Sequence, residues 1–323
     1  MASVIGAAAR STRPRISALH GLVAGAALLL ALWPLVFGNK FLLALATLVA
    51  LYAIGAASLH LIIRTGHVSF AHAGFMGVAG YVAVLSQMRL GLPFAAALPL
   101  GCLAAATVAL AIGPLILRVT GKYFVLVTFL FGEILRLVFT EWTAVTGGSN
   151  GIFDVPPPAP VFATPLGFYY LALGAAVLCV GIVARILGSE IGRTIDALRE
   201  AERLAECSGV PVIRWKVAVF VVACALAGVQ GVLQAHYLRL IDPTTFSIVE
   251  SLNLVVMNVI GGMQRLAGAL IGALFLTALP ELLRGYVEMQ RVFFGIILII
   301  VMAALPGGII EIGARLRALG KAR

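Results

Sequence analysis

Charged residues are scarce in this chain of 323 residues. Only 11% of the residues are Asp, Glu, Lys or Arg, whereas 62% are hydrophobic, and the mean hydropathy is +1.09. A soluble domain keeps a charged surface around its apolar core, so this balance excludes a soluble globular fold. At about 20 apolar residues for each bilayer crossing, the apolar residues suffice for roughly ten transmembrane helices. We therefore expect an all-α protein, a polytopic helical bundle with about ten spans.

Enzyme and metal-site motifs are also missing. The sequence contains neither an HExxH pair nor a GxxxxGK[ST] phosphate-binding loop. The four cysteines are scattered and show no CxxC spacing, so we interpret them as small packing residues: Cys102, Cys179, Cys207 and Cys224. We expect a protein that is not an enzyme and binds no metal. If ATP drives its activity, another subunit must bind the ATP.

Hydropathy divides the chain into ten candidate spans. They are residues 21–38, 41–63, 67–88, 92–117, 123–140, 166–187, 217–235, 248–262, 266–283 and 292–310. Polar residues interrupt the third and the eighth, so each of these two is a candidate for a broken or re-entrant helix. The first apolar run lacks a clean small-x-small cleavage site, which favours an uncleaved first helix over a signal peptide.

The basic residues predict the orientation in the membrane. With ten spans and the N-terminus inside, 17 of the 23 Lys and Arg residues face the cytoplasm, as the positive-inside rule requires. The net charge of +10 therefore indicates topology, and we expect no nucleic-acid partner. The predicted domains are a cytoplasmic basic arm (1–20), a single transmembrane domain (21–310) and a basic cytoplasmic tail (311–323).

One long connection, residues 141–165, is predicted outside the cytoplasm. It contains TGGSNG at 146–151 and PPPAP at 156–160. Glycine allows tight turns and proline stiffens the chain, so we predict an ordered loop there. It is either a plain connector or a lid or docking surface above a translocation path.

The other long connection, residues 188–216, is predicted in the cytoplasm. Ser189 is a candidate helix N-cap, and Gly209 with Pro211 is a candidate stop. An apolar stripe recurs between them at helical spacing: Ile191, Ile195, Leu198, Ala201 and Ala205. Because charges of both signs surround this stripe, the pattern favours docking into a groove on a soluble partner. A solvated linker helix is the alternative.

Several ionisable or polar residues fall inside predicted spans, where they are costly unless they face a partner or a path. Glu133 and Arg136 are spaced to pair on one helix face, either as a structural ion pair or in contact with a translocated solute. Interhelical hydrogen bonding is the simpler explanation for a further group: Gln230, Gln234, Glu250, Asn253 and Asn258.

His67, Ser69 and His72 begin the third span. Two histidines five residues apart point about 140° apart on a helix, which disfavours a metal site. Their polarity beside several glycines instead predicts an irregular helix start next to a protein-lined cavity.

Four segments occur in a telling order. They are GHVSFAHAGF at 66–75, YFVLVTFLFGEILR at 123–136, TGGSNG at 146–151, and GRTIDALRE at 192–200 with ALAG at 225–228. In this order they resemble the LivM-type permeases of branched-chain amino acid ABC importers, over roughly residues 40–310. The chain departs from the general importer pattern EAAx3G, since residues 202–209 read ERLAECSG.

The resemblance implies an assembly in the bacterial inner (plasma) membrane. The partners would be a second, homologous permease, two cytoplasmic ATPase subunits and an extracytoplasmic substrate-binding protein. No cofactor would bind this chain, since ATP and Mg would bind the partner subunits. The ATPase-coupling residues would be Arg193, Leu198, Arg199, Glu202, Ala205 and Gly209. Candidates for the translocation path are His67, Ser69, His72, Glu133, Arg136, Asn253 and Asn258.

The family's usual cargo is leucine, isoleucine and valine. Close relatives import urea or short amides, so this substrate class stays an alternative. A stand-alone channel or ion-coupled secondary carrier is an alternative of a different class, although it would not need the amphipathic segment at 189–209. A structural scaffold is disfavoured by the buried polar residues.

Overall fold

The structure is a computed structural model, and it describes residues 39–119, 121–282, 295–296, 299 and 308–310. Its α-helices are α1 (Lys40–Ile63), α2 (His72–Leu90), α3 (Phe94–Ile116), α4 (Lys122–Glu141), α5 (Thr143–Thr146), α6 (Pro165–Leu187), α7 (Glu190–Glu200), α8 (Glu202–Cys207), α9 (Val212–Leu238), α10 (Ile248–Gly261) and α11 (Leu266–Leu282). Two short strands, β1 (Ile152–Phe153) and β2 (Leu240–Ile241), pair in antiparallel fashion.

The long helices have the length and composition of membrane spans. Five of them, α1, α3, α4, α6 and α9, contain 20 to 27 residues with high hydropathy. At 1.5 Å per residue they are about 30 to 40 Å long, enough to cross the hydrocarbon core. The chain is therefore a helical, multi-pass membrane protein. The predicted span 21–38 and most of 292–310 lie outside the described residues.

Helix α2 differs from the predicted third span. It begins at His72, five residues after the expected start, because residues 67–71 are not helical. Within the described residues it is not among the helices apolar enough to count as a span. It packs against α3, α4 and α9, and most of its side chains are buried. A helix surrounded by protein does not need a lipid-compatible surface on every side.

Helices α10 and α11 form a bent pair. They contain 14 and 17 residues and turn by 117° at the break between them. Gly262 lies in that break with φ of +113°, a conformation that side chains with a Cβ avoid. The described part of each helix is shorter than a full crossing. The pair counts as one broken span or a re-entrant loop, as was considered for the eighth span.

Helix α9 is the centre of the bundle. It packs against α1, α2 and α3, and small residues allow the close approach. A Cβ at Gly231 would collide with the backbone carbonyl of Met76 on α2, and one at Gly228 would lie 2.8 Å from the Cβ of Ala79. Helices α6 and α11 also pack on α1.

The two ends of the bundle differ. At the end we call the loop end, residues 142–164 form α5, two 3₁₀ turns and β1. Strand β1 pairs with β2 directly after α9, and the Val155 amide donates to the Arg239 carbonyl at 3.2 Å. The opposite end, the α7–α8 end, carries both short helices of the segment 188–216. Its described basic residues are Arg64, Arg118, Lys122, Arg185, Arg193, Arg199, Arg203, Arg214, Lys216 and Arg265.

Candidate functional site

A line of polar contacts joins α1 to α10 through the interior. On α1 it follows a face with a spacing of four residues, Tyr52, Ala56 and His60, and ends at Arg64. Their partners are Glu250, Asn258 and Gln264. The sequence offset between partners is 198 to 202 residues throughout, so α1 and α10 run parallel. We call this set of residues the polar seam.

The first part of the seam lies near the middle of α1. Tyr52 donates a hydrogen bond of 3.4 Å to Glu250 Oε2. Glu250 is 8% exposed, and the side chains of Gln234 and Asn253 lie beside it. Gln230 is fully buried and donates to Gln234 Oε1 at 3.5 Å. Three helices, α1, α9 and α10, therefore meet at one buried polar cluster.

The second part of the seam is centred on Asn258, which is fully buried. Its amide donates to the carbonyls of Ala56 (3.1 Å) and Leu254 (3.0 Å), and its oxygen lies 3.2 Å from His60 Nδ1. Beside it, the Ser58 hydroxyl lies 2.8 Å from His72 Nε2. His72 thus faces the helix interface.

The third part of the seam joins α7 to the break between α10 and α11. Arg64 forms an ion pair with Asp196 of α7 and donates to the Gln264 carbonyl at 3.0 Å. Arg199, also on α7, donates to Gln264 Oε1 at 3.2 Å. Gln264 is therefore held from α1 and from α7 at once.

The irregular residues before α2 pack inside the protein. Ser69 is fully buried and accepts from the Ala71 amide at 3.4 Å. His67 Nδ1 lies 3.1 Å from the Thr65 carbonyl, and the ring stacks edge-on against Phe124 at 4.7 Å. Burial and the charge of Lys216 lower the pKa of His67 below its ordinary value. The expected irregular start is present, and the cavity expected beside it stays a prediction.

Glu133 and Arg136 pair with each other on α4, as their spacing predicted. Their side chains are 31% and 27% exposed, away from the polar seam. Gly132, which directly precedes Glu133, packs against the backbone of Ala71. The structure thus separates the predicted path residues into three places: the seam (His72, Asn253, Asn258), the start of α2 (His67, Ser69) and the flank of α4 (Glu133, Arg136).

The predicted coupling segment forms two helices. Ser189 caps α7 by accepting from the Ile191 amide at 3.2 Å, and Gly209 ends α8 with φ of +83°. The predicted stripe from Ile191 to Ala205 is not one continuous face, because Ala201 breaks the helix with φ of −150° and ψ of 68°. Glu202, the first residue after the break, pairs with Lys216 of α9.

The middle of the apolar face of α7 is buried within this chain, whereas Ile191 at its start is 39% exposed. Ile195 is fully buried and Leu198 is 2% exposed, so these side chains are not free to enter a groove on a partner. Lys216 Nζ donates to Glu202 Oε1 at 2.6 Å, and the Lys216 side chain is completely buried. Other residues of this segment point away from the rest of the chain. Leu204 is 68% exposed. Among the described residues, the Arg193 side chain pairs only with Glu190 of the same helix.

Residues 147–151 match the GxSxG pattern of hydrolases. However, Ser149 lies in a 3₁₀ turn (Gly148–Asn150) and not in the strand-to-helix elbow of those enzymes.

At the loop end, a cavity of about 350 Å³ opens between α1, α9 and the proline-rich loop. Its lining includes Lys40, Arg239, Phe162 and Phe168, and it lies beyond the Tyr52 cluster on the same helices.

Some seam residues escaped the sequence analysis. His60 carried a usable signal, since an ionisable residue in an apolar run points to an internal partner. Tyr52, Ser58 and Gln264 carried none, because their roles depend on residues about 200 positions away or on a helix break.

Comparison with known proteins shows similarity to permeases of branched-chain amino acid transport systems. The family model described as branched-chain amino acid transport system, permease component, matches residues 41–302. The high-affinity branched-chain amino acid transport system permease protein LivM of Escherichia coli K12 is 29% identical over 305 residues, or 86% of this chain and 72% of the relative.

Other relatives extend this similarity. LivM of Salmonella typhimurium is 28% identical over 293 residues, covering 82% of this chain and 69% of the relative. The permease protein LivH of the same organism is 30% identical over 137 residues, covering 42% of this chain and 44% of the relative. No solved structure shows a significant match.

Proposed function

The chain belongs to the family of permease components of branched-chain amino acid transport systems, and we propose that it is one membrane subunit of an ATP-driven importer of leucine, isoleucine and valine. The observation that carries the proposal is the family match over residues 41–302, which includes all the described helices except the start of α1. With its homologous second permease, the chain would form the translocation path.

The assembly is part of the proposal. An extracytoplasmic binding protein would deliver the solute, and two cytoplasmic ATPase subunits would bind ATP and Mg. The similarity to both LivM and LivH supports pairing with a second permease. The location would be the bacterial inner membrane, with both termini in the cytoplasm. The concentration of described basic residues at the α7–α8 end supports a cytoplasmic position for that end.

The path is proposed along α4 and α10. These helices are in contact, and both expose apolar side chains, among them Ile134 and Val249. The half-exposed Glu133–Arg136 pair is costly against lipid tails but acceptable against a second subunit or a hydrated path. This arrangement would bring Glu133, Arg136 and Asn253 to the interface between the two permeases.

The contact with the ATPase is proposed at the outer surface of α7 and α8. Leu204 is exposed there among charged neighbours, as expected of a residue that enters a groove on a partner. Arg199 and Glu202 are engaged within this chain, so reversing their charges would disturb the permease itself. A Leu204→Asp variant is the better test. It should insert normally and lose co-purification of the ATPase subunits.

Uptake of labelled leucine, with labelled urea in parallel, tests the function in cells with and without this chain. Leucine uptake that requires both the chain and ATP supports the proposal. If only urea uptake falls, the importer carries a different cargo. Leucine uptake that depends on the chain but survives ATP depletion would point to the stand-alone carrier.

A further inference from the structure

The cluster around Glu250 contains hydrogen-bond acceptors without donors. Glu250 Oε1 and Gln230 Oε1 are both buried and have no hydrogen-bond partner among the residues that the structure describes. Buried polar atoms in proteins are nearly always paired, and each exception needs an explanation. Two unused acceptors on two helices that both pack on α1 are complementary to a group that only donates hydrogen bonds.

The charge of the cluster also favours a ligand that carries positive charge. Among the described residues, no Lys or Arg forms an ion pair with Glu250, whose neighbours are Tyr52, Gln234 and Asn253. A carboxylate removed from water is unfavourable unless a cation accompanies it. An incoming cation would therefore be bound more strongly here than a neutral solute.

The packing fixes the position of Gln230. A Cβ at Gly55 would lie 2.8 Å from Gln230 Cδ and 2.9 Å from a methyl carbon of Leu254. The Gln230 amide thus occupies the space left by the missing side chain of Gly55 on α1. Leu254, which lines the same space, is one helical turn after Glu250 on α10. The two acceptors are held in place by the contact of three helices.

We propose that Glu250, with Gln230 and Tyr52, binds the ammonium group of the amino acid on its passage through the permease. A primary ammonium provides three N–H donors and one positive charge, which matches two free acceptors and an uncompensated carboxylate. The inference rests on the proposed importer function and narrows its substrate class. It favours amino acids over urea and short amides, which carry no ammonium group.

The test uses the complete importer, with the second permease, ATPase subunits and binding protein, in proteoliposomes. Glu250→Gln keeps the size of the side chain and removes its charge. We expect ATP-driven uptake of labelled leucine to fall ten- to a hundredfold, while assembly and basal ATP hydrolysis are kept. Glu250→Asp should restore part of the uptake. Glu141→Gln, at an exposed carboxyl at the end of α4, is the matched control and should transport normally.

A second variant guards against a folding defect. Gln230→Leu removes one acceptor and leaves the carboxylate, and we expect uptake to fall about three- to tenfold in an assembled complex. Normal leucine uptake by assembled Glu250→Gln overturns the inference. Wild-type importer that carries urea and not leucine contradicts the proposed cargo instead, so the two failures are distinguishable.

Discussion

At the scale of single residues, the interior is organised by polar side chains that satisfy one another across helices. Asn258 illustrates this, since its amide nitrogen and oxygen bond to α1 and to its own helix. In a bilayer, an unpaired amide or imidazole has no water molecule to serve as a hydrogen-bond partner. Such residues therefore fix which faces of α1 and α10 meet.

We expect Asn258→Leu to destabilise the protein. The change leaves His60 Nδ1 and the Ala56 carbonyl without their bonds to Asn258, at a cost of about 1–3 kcal/mol for each buried group left unpaired. Thermal unfolding of the purified permease complex in detergent should show a lower midpoint. Asn150→Leu, at an exposed loop position, is the control, and an unchanged midpoint for Asn258→Leu would contradict the role of the seam.

Glu133 provides a second test at this scale. If its pair with Arg136 faces the path between two permeases, Glu133→Gln should reduce leucine uptake more than it reduces the amount of protein in the membrane. Uptake normalised to immunoblot intensity measures the difference. Equal loss of uptake and protein would assign Glu133 and Arg136 to a structural ion pair.

At the scale of elements, α7 is attached to the bend of α10–α11 and is not a free surface helix. Arg199 holds the Gln264 side chain and Arg64 holds its carbonyl. The same bent pair carries Glu250 and Asn258. Movement of α7 would therefore reach the α10–α11 bend directly through the Arg199–Gln264 hydrogen bond, and indirectly through Arg64 at the end of α1, which pairs with Asp196 and bonds to Gln264.

Gln264→Ala should weaken this connection. We expect ATP hydrolysis by the assembled importer to persist while leucine transported per ATP falls about three- to tenfold, because the Arg199 contact is lost. Gln87→Ala is the matched control, since Gln87 makes a similar bond of 2.7 Å to His236 at the loop end. An unchanged ratio of transport to hydrolysis in Gln264→Ala would rule out the connection.

The crossing of α2 and α9 depends on small residues. Gly231→Leu should prevent close packing, because even a Cβ there meets the Met76 carbonyl. Gly181→Leu on α6 is the comparison, since nothing lies within 4 Å of a Cβ at that position. Size-exclusion chromatography of the two variants should show aggregation or poor recovery for Gly231→Leu alone. Equal recovery of both would mean that α9 adapts to the added volume.

At the scale of the whole molecule, the two ends of the bundle have different charge and different covering segments. Cys207 provides a natural probe of their orientation, because it is exposed at the end of α8, whereas Cys179 and Cys224 are buried. A membrane-impermeant maleimide should label it in inside-out vesicles washed free of peripheral subunits. Right-side-out vesicles should stay unlabelled, and Cys207→Ser should abolish the signal. The reverse pattern would invert the predicted topology.

Much of this molecule is determined by its sequence alone. Hydropathy located the long helices within a few residues, since an apolar run of about 20 residues has few options other than crossing the bilayer. The cap at Ser189 and the stop at Gly209 were also correct, because capping depends on neighbouring residues. Family membership followed from ordered motifs that are local in the same sense.

The tertiary structure decided what depends on distant residues. Residues some 200 positions apart form the polar seam, and no local pattern specifies that Tyr52 meets Glu250 or that Arg64 meets Gln264. Ile195 and Leu198 are buried against the rest of the chain. The middle of the predicted docking face is therefore covered by this chain and is not available to a partner. Periodicity shows that a helix has an apolar side, but only packing determines whether that side is covered by the same chain or by a partner.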